Sequence, residues 1–495
     1  MICITIAQED RNLLLADMLN AAAMGADMVE VRLDTLDKAP NFSEMLSAKR
    51  LPILFSCRRP QDGGNWQGTE EERLMLLRQA IMSKADYVEM EYDVAEQIRP
   101  FPGCKRVVSY TNKEKMPSAI RDIYDDMLNL HPDVIKLTVR ARTPEEAWPL
   151  VQILGKPAVP TVVVGLGRPG VMLAILGKRI GCPWTAAALE KGAEAFAGQP
   201  TIRELEDIYR YRDIGKPTRF VGVTGLGERE LLTAGLMNAA FAHLNLPHRV
   251  LPMQVGDMKL FRKVIEIVKV QGVTLDDAHY ERLHEGAFLD ESAKVPVQAG
   301  DLMTPGGEHG WIGSNALAQW AVIALEDSLR KRDPEKQEPM KGRVCMLAGC
   351  GPLARMIAPA LKAKGAALVF ASKDRDEALR LSKAFGGRQI HWDGLYATIH
   401  DVLVVCRDKD QDDSDDETPI HPGYLKSTMT VLDLTSVPRR SRFLDEAKLR
   451  GCGLVSPVTL LVEQVAEHVQ RVGGQAIGRN VLREKLALWM DGEDD

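Results

Sequence analysis

At 495 residues the chain is long enough for two or three domains of ordinary size, each with its own core. Hydrophobic residues make up 45% and charged residues 27%, which excludes a disordered or fibrous chain. A formal net charge of -6 shows no sign of the nucleic-acid footprint, which needs a basic face. No apolar run approaches the ~20 residues of a membrane span.

The opening Met1-Ile-Cys-Ile-Thr-Ile6 reads as a strand without the basic start of a signal peptide, so a cytoplasmic location is expected. The eight cysteines are scattered, with no CxxC pair and no metal-like His/Cys spacing. They read as reduced thiols, and no metal site is expected. The expected partner is a small molecule. A mildly acidic protein binds an anionic one only through a local Arg or Lys cluster.

In chain order, strand-like runs fall at 2–7, 28–33, 52–57, 87–92, 106–111, 134–139 and 161–165, with a weaker one at 184–188. Helix-like stretches such as 12–24 and 70–83 lie between them. About eight strand–helix alternations in about 205 residues predict a parallel sheet closed into a (β/α)8 TIM barrel. A helix-like segment over 201–212 ends this unit, and Gly215-Lys-Pro217 reads as a linker. A second alternating pattern runs from Phe220 to about Leu325, and a polar stretch at 331–341 separates it from a third. The expected division is 1–212, 218–330 and 340–495. The fold class is α/β, with the barrel followed by a two-lobed region whose second lobe is Rossmann-like.

Barrel enzymes place their chemistry at the C-terminal ends of the strands, so charged residues inside or ending apolar strands are informative. Lys136 stands in Asp133-Val-Ile-Lys-Leu-Thr138. It either snorkels outward or points into the barrel, where desolvation favours the nucleophilic neutral amine. Glu30 and Arg32, in Val29-Glu-Val-Arg-Leu-Asp34, share one face of a strand. They read either as a structural ion pair or as a substrate contact with its orienting carboxylate. Arg58 ends a strand before a loop containing Gly63-Gly64, which suits an anion contact beneath a mobile lid.

Together with Val107-Val-Ser-Tyr110 and Phe196-Ala-Gly-Gln199, these stretches make residues 1–212 resemble type I 3-dehydroquinate dehydratase. The resemblance implies a Schiff base on Lys136, substrate contacts from Glu30, Arg32, Arg58 and Gln199, and Asp62 at the acidic position of the lid. It implies dehydration of 3-dehydroquinate to 3-dehydroshikimate without a cofactor. Thr111 falls where the family carries its acid/base histidine, and a threonine hydroxyl cannot shuttle a proton near neutrality. Leu173 and Ala174 fall on the family's Ser-Arg pair, unless Arg168 reaches in from the same loop. Ala195 falls on a family serine.

Gly349-Cys-Gly-Pro-Leu-Ala354 follows a strand and opens a helix, so Gly349, Gly351 and Ala354 suit a dinucleotide turn. Ser372 and Lys373 suit a 2′-phosphate and Asp374 a ribose hydroxyl, so NADP or NAD is the expected cofactor, against a Rossmann-like unit that binds none. With Gly222-Val-Thr-Gly225, Met237-Asn-Ala-Ala-Phe241 and Leu461-Val-Glu-Gln464, the region from Phe220 onward resembles shikimate dehydrogenase. That resemblance implies a substrate contact from Gln464. The family's serine clamp falls on Leu231 and Thr233, its catalytic lysine on Ala278 with Tyr280 two residues on, its catalytic aspartate on Leu317, and a tyrosine on Ser436. The acidic run at 408–417 would repel cofactor phosphates. The expected protein is a shikimate-pathway lyase fused to a weak or inactive dehydrogenase-like region. A different Schiff-base lyase or aldolase and a non-catalytic relative are the alternatives, and a homodimer is the assembly considered.

Overall fold

Apolar, β-branched runs such as Val134-Ile-Lys-Leu-Thr-Val139 favour strands, and the amphipathic stretches between them favour helices. In a computed structural model of the chain, the described residues are 1–279, 282, 300–307, 310–407, 420–439 and 441–490. The chain divides into two compact units. One is Met1–Arg219 with Arg249–Gly256 and Lys263–Val268, and the other is the remainder.

In the first unit the strands are β1 (Ile2–Ile6), β2 (Met28–Arg32), β3 (Ile53–Ser56), β4 (Tyr87–Glu91), β5 (Lys105–Asn112), β6 (Val134–Val139), β7 (Thr161–Gly165) and β8 (Thr185–Ala187). Between them run α1 (Arg11–Ala23), α2 (Phe42–Ala48), α3 (Glu70–Met82), α4 (Ile120–Leu128), α5 (Pro144–Gly155) and α6 (Val171–Ile180). The strands are parallel and ordered β7-β6-β5-β4-β3-β2-β1-β8, a nearly closed barrel whose seam lies between β7 and β8. Asp10 caps α1, and Thr69 with Glu72 forms a capping box on α3. The helix expected over 201–212 is shorter. A wide-turn helix spans Glu204–Ile208, and Arg210 at φ 48° breaks it before a separate turn at Tyr211–Asp213.

A second sheet is formed by β9 (Arg219–Thr224), β10 (His248–Met253), β11 (Val273–Thr274), β12 (Leu302–Pro305) and β13 (Trp311–Ser314), ordered β10-β9-β11-β12-β13. Helices α7 (Glu228–His243), α8 (Met258–Val268) and α9 (Ala316–Arg330) accompany this sheet in sequence. The last sheet has β14 (Val344–Ala348), β15 (Ala367–Ser372), β16 (Arg388–His391), β17 (Val402–Val405), β18 (Thr430–Asp433) and β19 (Gly453–Leu454). Its helices are α10 (Pro352–Ala363), α11 (Arg375–Phe385), α12 (Arg442–Leu449), α13 (Pro457–Gly473) and α14 (Arg479–Met490). The parallel order β16-β15-β14-β17-β18-β19 is that of a doubly wound Rossmann sheet, with its switch point between β14 and β17. Among the described residues, no helix is long and apolar enough to cross a membrane.

Candidate active site

Lys136 is the third residue of β6 and only 2% exposed. Side chains alternate along a strand, so Lys136 and Thr138 share one face. The ladder with β5 sets Ser109 beside Lys136 and Thr111 beside Thr138. The Lys136 Nζ donates to Glu30 Oε2 at 3.0 Å and Glu89 Oε2 at 2.8 Å, so it projects into the barrel between two carboxylates. Arg58 completes the group. Its Nη2 lies 2.9 Å from Glu30 Oε1 and 3.0 Å from Glu89 Oε1. The Ser56 hydroxyl donates to the same Glu30 oxygen at 2.8 Å.

Two cations and two carboxylates thus compensate one another in a space with little water. Burial alone raises the Glu30 carboxyl, but Lys136, Arg58 and Arg32 outweigh it and hold the group well below the usual carboxylate range. The lysine points into the barrel and is ion-paired there. Two polar groups are left over. Arg58 Nε and Thr138 Oγ1 are buried without a hydrogen-bond partner among the described residues. Orphaned buried groups are uncommon, and a bound ligand is one way to satisfy them.

The other expected residues are held differently. Arg32 does not pair with Glu30. It forms a fork with Asp34, at 2.9 Å and 2.7 Å, and donates to Gly63 O at 3.2 Å. Asp34 also accepts from the Arg58 and Asn65 backbone N–H groups, so it ties the β3–α3 loop to the end of β2. Lys113 Nζ holds the same loop through Pro60 O at 2.8 Å. The loop expected as a mobile lid is thus fastened at several points. Its two glycines are required, since Gly63 has φ 82° and a Cβ on Gly64 would lie 2.0 Å from Arg58 O. Asp62 is paired with Arg59 at 2.7 Å, and Arg59 also reaches Asp93. Gln199 donates to Thr5 Oγ1 at 3.2 Å, and its Oε1 accepts from the Ala195 N–H at 2.8 Å. Arg168 pairs with Glu204 at 2.8 Å, so its guanidinium is committed there, and Leu173 is buried.

Glu89 and Asp34 were not among the sequence candidates. The signal for Glu89 was present, because Glu89 and Glu91 repeat on β4 the alternation of Glu30 and Arg32 on β2. Only the tertiary fold separates them. Glu91 pairs with Arg73 at 2.7 Å, while Glu89 faces Lys136.

In the second unit, Gly349 and Gly351 sit at the switch point after β14. Gly349 has φ 94°, and a Cβ there would lie 2.1 Å from Cys406 O. Packing against the end of β17 already explains that glycine. The Gly349 N–H donates to Ala371 O and the Gly351 N–H to Arg407 O, each at 2.8 Å. Pro352 has no N–H, and the Ala354 N–H turns back to Gly351 O at 3.1 Å. Ser372 Oγ accepts from the Asp374 N–H, and the Asp374 carboxylate caps α11. Lys373 lies over the Trp392 ring. A pyrophosphate takes converging N–H groups at a helix N-terminus, and in this turn those of Gly349, Gly351 and Ala354 are bonded within the protein.

The polar groups around Gln464 form a network centred on Asp301, with His468 Nε2 left without a hydrogen-bond partner among the described residues. Gln464 Nε2 donates to Asp301 Oδ2 at 2.7 Å, and its Oε1 accepts from Arg229 Nη2 at 3.1 Å. Asp301 is fully buried and accepts the Ala316 and Leu317 N–H groups at 2.8 Å each, capping α9. His468 lies between Asp301 and Thr274. Burial raises the Asp301 carboxyl, but His468 and those two N–H groups hold it below its ordinary value. Leu317 is fully buried in the first turn of α9, and Ala278 lies in a turn where Asp276 bonds Thr224 and His279. Glu230 is pushed up to about 7 by burial, with Arg229 opposing and Asp276 and Asp277 adding to it. Tyr280 and the acidic run at 408–417 lie outside the described residues.

Residues 2–216 match the family model of type I 3-dehydroquinase. The chain is 31% identical to the 3-dehydroquinate dehydratase of Methanopyrus kandleri over 196 residues, 38% of this chain and 89% of that protein. It is 26% identical over 491 residues to the chloroplastic bifunctional 3-dehydroquinate dehydratase/shikimate dehydrogenase of Arabidopsis thaliana, 95% of this chain and 81% of the relative. Among solved structures it is similar to the dehydroquinate dehydratase and shikimate dehydrogenase from S. pombe AroM, at 17% identity and TM-score 0.40 over 98% of this chain and 97% of that one. A shikimate dehydrogenase from Aquifex aeolicus matches 55% of this chain and 99% of its own, at 20% identity and TM-score 0.45. The chain belongs to the type I 3-dehydroquinase family, in the bifunctional arrangement that joins such a barrel to a shikimate dehydrogenase-like region.

Proposed function

We propose that the barrel dehydrates 3-dehydroquinate to 3-dehydroshikimate through an imine on Lys136. The observation that carries this is a buried lysine amine between Glu30 and Glu89, beside the unpartnered Arg58 Nε and Thr138 Oγ1. A ketone condensing with the amine becomes an electron sink, so an adjacent C–H proton can leave and a β-hydroxyl can follow. Arg58 and Thr138 would take substrate oxygens, with Glu30, Arg32, Asp62 and Gln199 shaping the site from the positions described above. Family membership supports this reading, and no cofactor is needed for it. Borohydride trapping with 3-dehydroquinate and mass mapping tests it. The adduct should sit on Lys136 and vanish in Lys136→Ala. An adduct on another lysine would overturn the assignment.

One observation favours a second reading. Arg168 is bound to Glu204, and Leu173 and Ala174 offer no charge, so no guanidinium takes the substrate carboxylate at that loop. A different Schiff-base lyase acting on a ketone without that carboxylate would show faster trapping with a neutral hydroxy-ketone than with 3-dehydroquinate.

The second unit belongs, in this reading, to the same fused pathway protein but turns over shikimate very slowly or not at all. The segments 218–330 and 340–495 would act as substrate-type and nucleotide-type lobes in form only. Ala278 and Leu317 provide no acid or base. Shikimate-dependent reduction of NADP or NAD at an ordinary enzymatic rate would refute this. A cytoplasmic location and a small-molecule ligand fit the same reading.

A further inference from the structure

The barrel lacks a histidine at position 111, yet an imine dehydration moves a proton twice. Thr111 stands beside Thr138 on the ladder, half-buried, with only a hydroxyl to offer. The two carboxylates on Lys136 are the titratable groups in direct contact with the reacting nitrogen, and they are not equivalent. Glu30 receives three donors: Lys136, Arg58 and the Ser56 hydroxyl. Glu89 is in contact with two, Lys136 and Arg58. An ammonium carries three N–H bonds and can serve both carboxylates. An iminium carries one, in a fixed plane, so imine formation releases one of the two. Glu89, with fewer donors left, is the one freed.

We propose that Glu89 is the general base and then the general acid of the dehydration. The proposal rests on the Lys136 imine reading. Glu89 Oε2 starts 2.8 Å from the nitrogen, and the carbon that loses its proton is two bonds from that nitrogen, within reach of the same oxygen. The carboxylate takes the C–H proton, and the bonding pair becomes the C=C bond of an enamine as the C=N pair returns to nitrogen. The enamine pair then expels the β-hydroxyl, restoring the iminium. Glu89 gives its proton to the departing oxygen, and water leaves. Forming the iminium released one water, and a water taken up again hydrolyses the conjugated iminium and frees Lys136. The overall change is loss of one water, with no oxidant or reductant. Arg58, touching both carboxylates, steadies Glu30 while Glu89 changes protonation.

The test uses the full chain with 3-dehydroquinate and the variants Glu89→Gln and Glu89→Asp. Three quantities are read: the borohydride adduct on Lys136, solvent-deuterium exchange at the carbon next to the imine, and dehydration rate. Glu89→Gln should keep the adduct and lose ~10²–10⁴-fold in both exchange and dehydration, the range for a removed general base. Glu89→Asp should keep the adduct and recover part of that loss. The proposal fails if Glu89→Gln exchanges and turns over within a few-fold of the wild type. It also fails if the adduct is lost along with turnover, since Glu89 would then serve imine formation only, or if the Asp and Gln variants are equally slow. Should Glu89→Gln not fold, the Asp variant decides, because full wild-type exchange is not expected from a shortened base. Absence of an adduct on the wild type would instead refute the imine reading itself.

Discussion

The barrel gathers its buried charges around one amine, whereas the dehydrogenase-like unit gathers buried polar groups around one carboxylate, Asp301. In the barrel, Lys136, Arg58, Glu30 and Glu89 balance one another and still leave Arg58 Nε and Thr138 Oγ1 without partners. Around Gln464, the polar groups bind Asp301 or one another, and His468 Nε2 is left without a hydrogen bond among the described residues. Asp301 caps α9, Gln464 bridges Asp301 and Arg229, and the glycine turn donates to Ala371 and Arg407. An amine between carboxylates can act as a nucleophile once it loses its proton, whereas a carboxylate that accepts helix N–H groups holds structure together. The difference lies in which group sits at the centre, because both regions hold buried charge.

That contrast can be broken most sharply at Lys136. Lys136→Ala should remove the imine adduct completely while leaving α9 and the second unit unaltered by hydrogen exchange. Loss of structure in both units would mean that the lysine is a structural ion pair. Next in size is Asp301→Ala, which leaves His468, Gln464 and two helix N–H groups without their acceptor. Breaking such a buried network typically costs about 3–5 kcal/mol. Chemical denaturation should show that loss in the second unit, with barrel adduct formation unaffected. A loss of dinucleotide or shikimate binding without destabilisation would show that Asp301 belongs to a working site.

Titration separates the units in a third way. The folded Glu230 titrates at about 7 against an ordinary 4.5, so its contribution to stability is complete below 4.5 and is lost as pH rises to about 7. Arg229, Asp276 and Asp277 face it. Glu30 and Asp34 are shifted the other way, so their contribution is present above the ordinary carboxylate range and disappears only as pH falls below it. Between pH 4.5 and 7 the second unit should therefore lose stability on alkalinisation relative to Glu230→Gln. Parallel melting curves for the two proteins across that window would contradict the contrast.

Smaller effects sharpen the picture. Pro352→Ala restores one N–H at the start of α10. One added hydrogen bond to a charged group is worth about 1.5–3 kcal/mol, so NADP or NAD should bind about 10- to 100-fold tighter than to the wild type by calorimetry. Tight wild-type binding would show that the turn opens in solution. Thr111→His should raise dehydration only a few-fold, because Glu89 already offers a carboxylate at the imine. A large gain would shift the proton role from Glu89 to position 111.

Much of this was legible before folding. Alternating apolar runs predict the eight parallel strands, and GxGxxA after β14 predicts the Rossmann-like turn. The pairing partners were not legible. Arg32 is two residues from both Glu30 and Asp34, and spacing cannot say which carboxylate its fork meets. Glu89 and Glu91 share one strand face, yet one meets Lys136 and the other meets Arg73. That the Gly349 and Gly351 N–H groups meet the carbonyls of Ala371 and Arg407 was not legible either.

The sequence by itself determined the local elements, the lysine in mid-strand and the missing histidine, because these depend on periodicity and residue type along the chain. Only the tertiary structure decided which charges meet. A hydrogen bond depends on distances of about 3 Å between atoms, and barrel closure brings together β2, β3, β4 and β6, which contribute Glu30, Ser56, Glu89 and Lys136 from positions far apart in the chain.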